Sequence, residues 1–434
     1  MVRPGPLLPN GSSRNAQAQE GDSKIEVALL TGGGDRPYAY GLTMELISRG
    51  VGIDLIGSDD LDFPDFHGKA GLNFLNLRGS QKPEASLVSK ITRIFLFYVK
   101  LLRYVIAAKP KIFHILWNNK FQFFDRTLLT LYYRLLGKKI ILTVHNVNTS
   151  RRDSKDSALN RQTLRFQYRQ ADHIFVHTQE MKQELSKEYC VNESQVTVIP
   201  FGINNSVPNT DLSSIEAKER LGLRKEDKTI LFFGNIAPYK GLEYLVSAYQ
   251  QIAAKRSDYK LIIAGRPKGF EQYWTQVQEM IRADVQKGKI ILRKEYIPDE
   301  ETEVFFKAAD VLALPYRYIY QSGVLFLGYS FGLPVLAADV GSLRDEIVEG
   351  KTGLVFKPED PVDLGRAIET YFSSELFSNL SARRAEIRDF AMKRNSWTAV
   401  GQSTIRTYAR VLGLVSDNDS ADVAPPHAET NISV

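Results

Sequence analysis

The stretch AADVLALPYRYIYQSGVLFLGYSFGLPVLAADVGSLRDEIVEGKTGLVF, residues 308–356, alternates apolar runs with glycine-marked turns around one candidate phosphate site. Val311-Leu312-Ala313-Leu314 reads as a buried parallel strand closed by Pro315. Gln321-Ser322-Gly323 then opens an apolar helix that Gly332 can end, and a second strand runs from Pro334 to Ala338. The backbone N–H groups at such a helix start have no partner within the helix. Beside a small Ser-Gly pair they form a ready site for an anion such as a diphosphate. An ordinary strand-helix-strand unit with a glycine cap has the same pattern, so the surrounding chain must decide.

The alternation continues in both directions. Upstream, Thr229–Phe233 is a strand, Gly241–Ala254 a helix, Lys260–Ala264 a strand, Gln272–Gln286 a helix and Ile290–Leu292 a strand. An earlier series contains the strands Ile25–Leu30, Val51–Ile56, Lys111–Trp117, Lys139–His145, His173–His177 and Val196–Ile199, with helices over Tyr38–Arg49 and Asp125–Leu136. The polar, proline-containing stretch 204–214 is the best linker between the two series. The chain therefore divides into domains at 24–203 and 215–395, flanked by tails at 1–23 and 415–434 whose composition suits disorder. Each domain is α/β and Rossmann-like, a parallel sheet covered on both faces, and the two leave a cleft between them. Function then belongs in the loops after Leu30, Leu142, Phe233, Ala264, Leu292 and Leu314, at the carboxyl ends of strands.

Composition narrows the classes. A single cysteine, Cys190, excludes a disulfide framework within the chain and suits a reducing compartment. The net charge of +6 favours anionic partners without choosing among nucleotide sugars, lipid headgroups and nucleic acid. No uncharged apolar run reaches the roughly 18 residues of a membrane span. Leu87–Ala108 is nevertheless a long apolar helix on which Lys90, Arg93, Lys100 and Arg103 share one stripe. It reads either as a core helix with one wet edge or as a basic face lying on an anionic membrane.

Several strand-end loops carry suitable chemistry. Gly32-Gly33-Gly34-Asp35-Arg36-Pro37 invites a dinucleotide reading, but the third glycine of that fingerprint is Pro37. Gly33, Gly34, Asp35 and Arg36 are instead acceptor-contact candidates, or simply a tight turn. His145 closes a strand at the cleft face, where an imidazole can donate a hydrogen bond to a sugar hydroxyl; His114, His173 and His177 read as structural. In FFGNIAPYKG, residues 232–241, Lys240 sets a mobile cation at a helix start, suited to a leaving diphosphate. Arg266, after the strand-end Gly265, is a second phosphate contact or a solvated side chain. No histidine has metal-ligand spacing, and Asp60-Leu61-Asp62 reads as a solvated turn, so no metal is expected.

FFGNIAPYKGLEYL at 232–245, LIIAGRP at 261–267, AADVLALPY at 308–316 and GLPVLAADVGSLRDEIVEGKTGLVF at 332–356 together make the chain resemble the large group 1 family of retaining GT-B glycosyltransferases, over roughly Lys24 to Leu412. The resemblance implies a carboxyl-terminal domain that holds a nucleotide sugar, an amino-terminal domain that holds a glycan or lipid-linked acceptor, and a last helix, within 396–414, that crosses back. It implies catalytic roles for His145 and Lys240. Donor contacts would come from Gly234, Asn235, Arg266, Arg293, Tyr296, Gln321, Ser322, Gly323 and Val324. It further implies no cofactor beyond the substrate and no nucleic-acid partner. The expected place is the cytoplasm, peripheral on the inner membrane face, in polysaccharide or glycolipid assembly.

Two positions depart from the family pattern. Asn235 stands where an arginine often follows the glycine of the first phosphate loop. The paired glutamates of the family fall on Ile319 and Leu327, which cannot accept hydrogen bonds from ribose or sugar hydroxyls. A catalytically silent glycan-binding or partner protein on the same fold is therefore the chief alternative. An epimerase, a phosphorylase and a dinucleotide oxidoreductase fit the loops less well.

Overall fold

The computed structural model describes residues 25–81, 86–153, 155–204, 207–267 and 269–415. The two expected tails lie outside them except for Val415, as do positions 205 and 206 of the expected linker. That linker is shorter than the sequence suggests. Ser213 and Glu216 form a reciprocal capping box that starts a helix at Ser214–Arg220.

Two parallel sheets carry the fold. The first contains β1 (Glu26–Leu30), β2 (Gly52–Gly57), β3 (Leu72–Asn76), β4 (Ile112–Ile115), β5 (Lys139–Thr143), β6 (His173–Val176) and β7 (Val196–Val198), in the order β3-β2-β1-β4-β5-β6-β7. The second contains β8 (Lys228–Phe233), β9 (Tyr259–Ala264), β10 (Ile290–Arg293), β11 (Val311–Leu314), β12 (Val335–Ala338) and β13 (Gly353–Phe356), in the order β10-β9-β8-β11-β12-β13. Every described pairing is parallel. The central strands are apolar on both faces because helices cover both sides. In each sheet the order reverses once, between β1 and β4 and between β8 and β11. Those reversals open crevices at the strand carboxyl ends, where ligands of open parallel sheets bind.

The last helix, Trp397–Val411, returns to the first sheet and packs on α1 (Arg36–Ser48). Trp397 explains Gly41 and Gly202: a Cβ at either would lie 2.2 or 2.4 Å from its indole ring. The indole N–H donates to the Ile203 carbonyl at 3.0 Å, and Tyr408 Oη meets His114 Nδ1 at 2.6 Å. The chain crosses between the sheets twice, and the crossings are tied together. Ile203 N–H donates to the Asn395 carbonyl at 3.0 Å, and Asn395 Nδ2 donates to the Phe201 carbonyl at 3.1 Å.

α2 (Leu87–Ala107) corrects the expected stripe. It buries Phe97, Tyr98, Leu101 and Val105, while Leu87, Val88, Ile91 and Phe95 are exposed. The outer face is thus largely apolar, with Lys100 and Arg103 beside it, whereas Lys90 and Arg93 turn inward and line a cavity. No described helix is long and apolar enough to cross a membrane. Replacing Trp397 by alanine is expected to cost about 3–5 kcal/mol, read as a lower urea midpoint; an unchanged midpoint would remove the latch.

Candidate active site

Lys240 ends a short 3-10 turn, Pro238–Lys240, and is followed by Gly241 at φ +61°. Only glycine fits there, since a Cβ would sit 2.0 Å from the Pro315 carbonyl oxygen. This contact locks the loop after β8 to the loop after β11. The Lys240 ammonium is buried, 3.5 Å from the Phe233 carbonyl and 5.3 Å from the Tyr316 ring centroid, and it makes no ion pair among the described residues. Burial lowers its pKa, so an incoming anion would recover charge stabilisation that the protein itself withholds.

The Gly323–Ser330 helix begins beside it. From a Cβ built at Gly234, Lys240 Nζ is 3.0 Å away and Val324 Cγ2 is 3.5 Å away, so Gly234, Lys240 and Val324 meet at one point. Ser322 occupies the N-cap position without capping; its hydroxyl meets Tyr316 Oη at 3.3 Å instead. The first helical N–H groups, at Gly323 and Val324, have no intrahelical acceptor. Gln321 Oε1 is buried with no hydrogen-bond partner among the described residues.

Arg266 lies on Tyr296, guanidinium carbon to ring centroid 5.2 Å, and its buried Nε has no partner among the described residues. Arg293 is exposed and turned to Glu295 at 3.9 Å, and Asn235 is exposed. Ile319 and Leu327 are both buried in the core of the second sheet. Neither position offers a polar group to the cleft.

Across the cleft, His145 lies just past the end of β5, its ring stacked on Trp117 at 4.2 Å and 4° and edge-on to Tyr38 at 4.7 Å. His177 is not merely structural. Its Nδ1 faces the Ile199 carbonyl at 3.3 Å, so that nitrogen carries the proton; its Nε2 then accepts from His145 Nδ1 at 3.0 Å. By this chain of bonds the buried, unpartnered Nε2 of His145 holds a lone pair. His145 is therefore set to accept a hydrogen bond from a sugar hydroxyl, the reverse of the donor role expected from sequence. Burial holds both rings neutral, His177 at about 4 and His145 well below the usual imidazole range.

The β1 loop forms the neighbouring wall. A Cβ at Gly34 would lie 2.0 Å from the Trp117 indole, so a bare backbone is needed for that ring to reach His145. Asp35 caps α1, accepting from the Tyr38 N–H at 3.1 Å, and one of its oxygens lies 3.9 Å from a Cβ built at Gly323; burial raises its pKa. Arg36 reaches Asp299 of the second domain at 3.7 Å. Phe201 stacks on Phe326 at 5.4 Å, and Arg152 sits 4.4 Å over the Tyr239 ring, so the two halves touch around the site. Among the described residues no three His, Cys, Asp or Glu side chains gather as a metal site; Asp62 pairs with His67 at 2.8 Å.

Trp117, Tyr38, His177 and Phe201 complete the wall that sequence reading missed. Trp117 was expected inside a strand, but β4 ends at Ile115 and leaves it in a strand-end loop.

Residues 213–391 match the family described as glycosyl transferases group 1, and residues 32–207 match glycosyltransferase family 4. A D-inositol 3-phosphate glycosyltransferase of Corynebacterium diphtheriae is 29% identical over 53% of this chain and 54% of its own. An uncharacterised glycosyltransferase of Methanocaldococcus jannaschii is 24% identical over 54% of this chain and 59% of its own. The chain thus spans about half the length of the curated relatives it matches. Among solved structures, sucrose-phosphate synthase of Thermosynechococcus elongatus superposes with a TM-score of 0.72 at 17% identity, covering 90% of this chain and all of that one. Anabaena HepE in complex with UDP and glucose gives 0.68 at 14% identity, covering 89% and all of that chain. The two-sheet architecture is the GT-B fold.

The buried imidazoles imply a pH dependence. His173, hydrogen-bonded to Thr197 at 2.9 Å, has its pKa lowered from 6.5 to about 4 by burial. Below 6.5 the unfolded chain takes up a proton that the folded one refuses, so this contribution is present above that pH and is lost as pH falls towards 4. Between about pH 7 and about pH 5, His173→Gln should lose roughly 2 kcal/mol less stability than the parent, measured by urea denaturation. Parallel losses would show that His173 titrates normally.

Proposed function

The chain belongs to the group 1 glycosyltransferases, and from that premise we propose that it moves a hexose from a nucleotide diphosphate sugar, UDP- or GDP-linked, to a hydroxyl of a glycan or lipid-linked acceptor with retained anomeric configuration. The observation that carries this reading is the meeting of Lys240, Gly234 and the start of the Gly323–Ser330 helix around an ammonium with no carboxylate partner among the described residues. Departure of the diphosphate develops negative charge there, and these groups are fixed in place to stabilise it. No resident cofactor is required for that role. His145 Nε2 takes a hydrogen bond from a donor-sugar hydroxyl, orienting the ring. Arg266 and Tyr296 hold the nucleotide end, where Arg266 has an unused buried donor.

The buried Ile319 and Leu327 favour one competing reading, a binding protein that holds a nucleotide sugar without turning it over. A panel of UDP-, GDP- and ADP-sugars, assayed for free nucleotide with and without acceptors, separates the two. Turnover with any donor supports the transferase, binding without release supports the competitor, and no binding to any donor removes both. Lys240→Ala should lower turnover about 100-fold or more; an unchanged rate would take Lys240 out of the mechanism.

The proposed setting is the cytoplasm, with α2 resting on the anionic inner face of the membrane and the chain serving polysaccharide or glycolipid assembly. Exposed Leu87, Val88, Ile91 and Phe95 beside Lys100 and Arg103 support it. Phe121, Phe123 and Leu128 are exposed as well. Changing Ile91 and Phe95 to serine should weaken sedimentation with vesicles containing anionic lipid; equal sedimentation removes the membrane from the reading.

A further inference from the structure

A cavity of about 990 Å³ opens between the β1 loop, the inward side of α2 and the loop after β9. Its lining carries six cationic side chains, Arg36, Arg78, Lys90, Arg93, Lys120 and Arg266, against the carboxylates of Asp60 and Glu271. Arg36 is engaged with Asp299. Arg78 and Arg93 are different, since neither forms an ion pair among the described residues. Arg78 donates to Asn119 Oδ1 at 3.3 Å and lies 5.4 Å over the Phe97 ring, while Arg93 donates to the Ser80 carbonyl. Both contacts are to neutral groups. Asp125, held by Tyr98 Oη at 2.9 Å and Asn119 Nδ2 at 3.4 Å, and Asp60 both favour the Arg78 charge from a distance, without an ion pair to it.

The place of this pair matters as much as its charge. A Cβ at Gly33 would lie 2.9 Å from an Arg78 terminal nitrogen, and one at Gly34 would enter the Trp117 ring that stacks on His145. Arg78 therefore packs against the β1 loop, one residue from the glycine that faces the Trp117 ring. Burial disfavours its charged form and lowers its pKa, a cost that an anionic ligand would offset.

We infer that Arg78 and Arg93 form an anion subsite for the acceptor, and that the acceptor is phosphorylated, bearing a phosphate or diphosphate a short distance from the hydroxyl that is glycosylated. Two guanidiniums on one cavity wall present the paired donors that phosphate oxygens accept. The inference rests on the transferase reading for the word acceptor and on the cavity alone for the anion. A free sugar phosphate and a lipid-linked diphosphate share this chemistry. The apolar outer face of α2, the helix that carries Arg93, stands close enough to serve the second.

Calorimetric titration of the full chain, saturated with UDP to fill the diphosphate site, with inorganic pyrophosphate tests the subsite. One further equivalent should bind, and Arg78→Gln and Arg93→Gln should each weaken it roughly tenfold while UDP affinity stays the same, which also shows that the variants are folded. Transfer assays then compare a soluble sugar phosphate, a detergent-solubilised polyprenyl-diphosphate sugar and the matched neutral sugars. A phosphorylated acceptor should exceed its neutral counterpart roughly tenfold in kcat/KM, and Arg78→Gln should remove most of that advantage. The better of the two phosphorylated acceptors identifies the source. Pyrophosphate binding that ignores both substitutions, or neutral sugars used equally well, overturns the subsite. Failure to bind any nucleotide overturns only the transferase reading, because pyrophosphate titration of the free chain still reports on Arg78 and Arg93.

Discussion

The returning helix is the constraint on which the site depends. Two parallel sheets, each with one reversal of strand order, have no intrinsic reason to face one another. Trp397 seated on Gly41 and Gly202, with Tyr408 bonded to His114, anchors the end of the second domain on α1 of the first. The carboxyl ends of β5 and β1 are thereby set opposite those of β8 and β11. Asp35 and Phe201 meet Gly323, and Phe201 meets Phe326, across the halves that this anchoring holds together.

A second theme is cationic charge left without internal partners. Lys218 shows a buried cation with an internal partner: it lies 3.0 Å from Asp310 and also donates to the Asp227 carbonyl at 2.8 Å. Lys240 and Arg78 hydrogen-bond to neutral groups and form no ion pair among the described residues, although the carboxylates of Asp125 and Asp60 act on Arg78 from farther off. Buried charges are normally paired, because desolvation is costly otherwise. On the proposed function, anions supplied from outside would meet Lys240 on one wall of the cleft and Arg78 on another.

Much of the fold was legible because parallel strands buried on both faces write themselves as short apolar runs, and the segments Thr229–Phe233 and Val311–Leu314 needed little more than that. β3 was not legible. Its sequence, LNFLN, has a half-exposed edge-strand pattern with two asparagines, too polar to stand out. Missing β3 also hid Arg78, which follows it and so belonged to no recognised strand-end loop. Trp117 was read as the last residue of a strand that in fact stops at Ile115. The direction of the His145 hydrogen bond could not be read at all, since it is fixed by His177 and the Ile199 carbonyl through contacts remote in sequence. On α2 the four charges do not share one face: Lys100 and Arg103 are exposed, whereas packing sets Lys90 and Arg93 on the wall of an open cavity, which periodicity cannot tell.

The double crossing of the chain has a mechanical meaning. Residues Phe201, Ile203 and Asn395 are joined by reciprocal hydrogen bonds, so the two covalent connections behave as one short, two-ply strap rather than as independent tethers. A single flexible tether would let the domains swing in any direction and lose alignment. A strap of two bonded plies resists shear and twist between the halves more than either connection could alone.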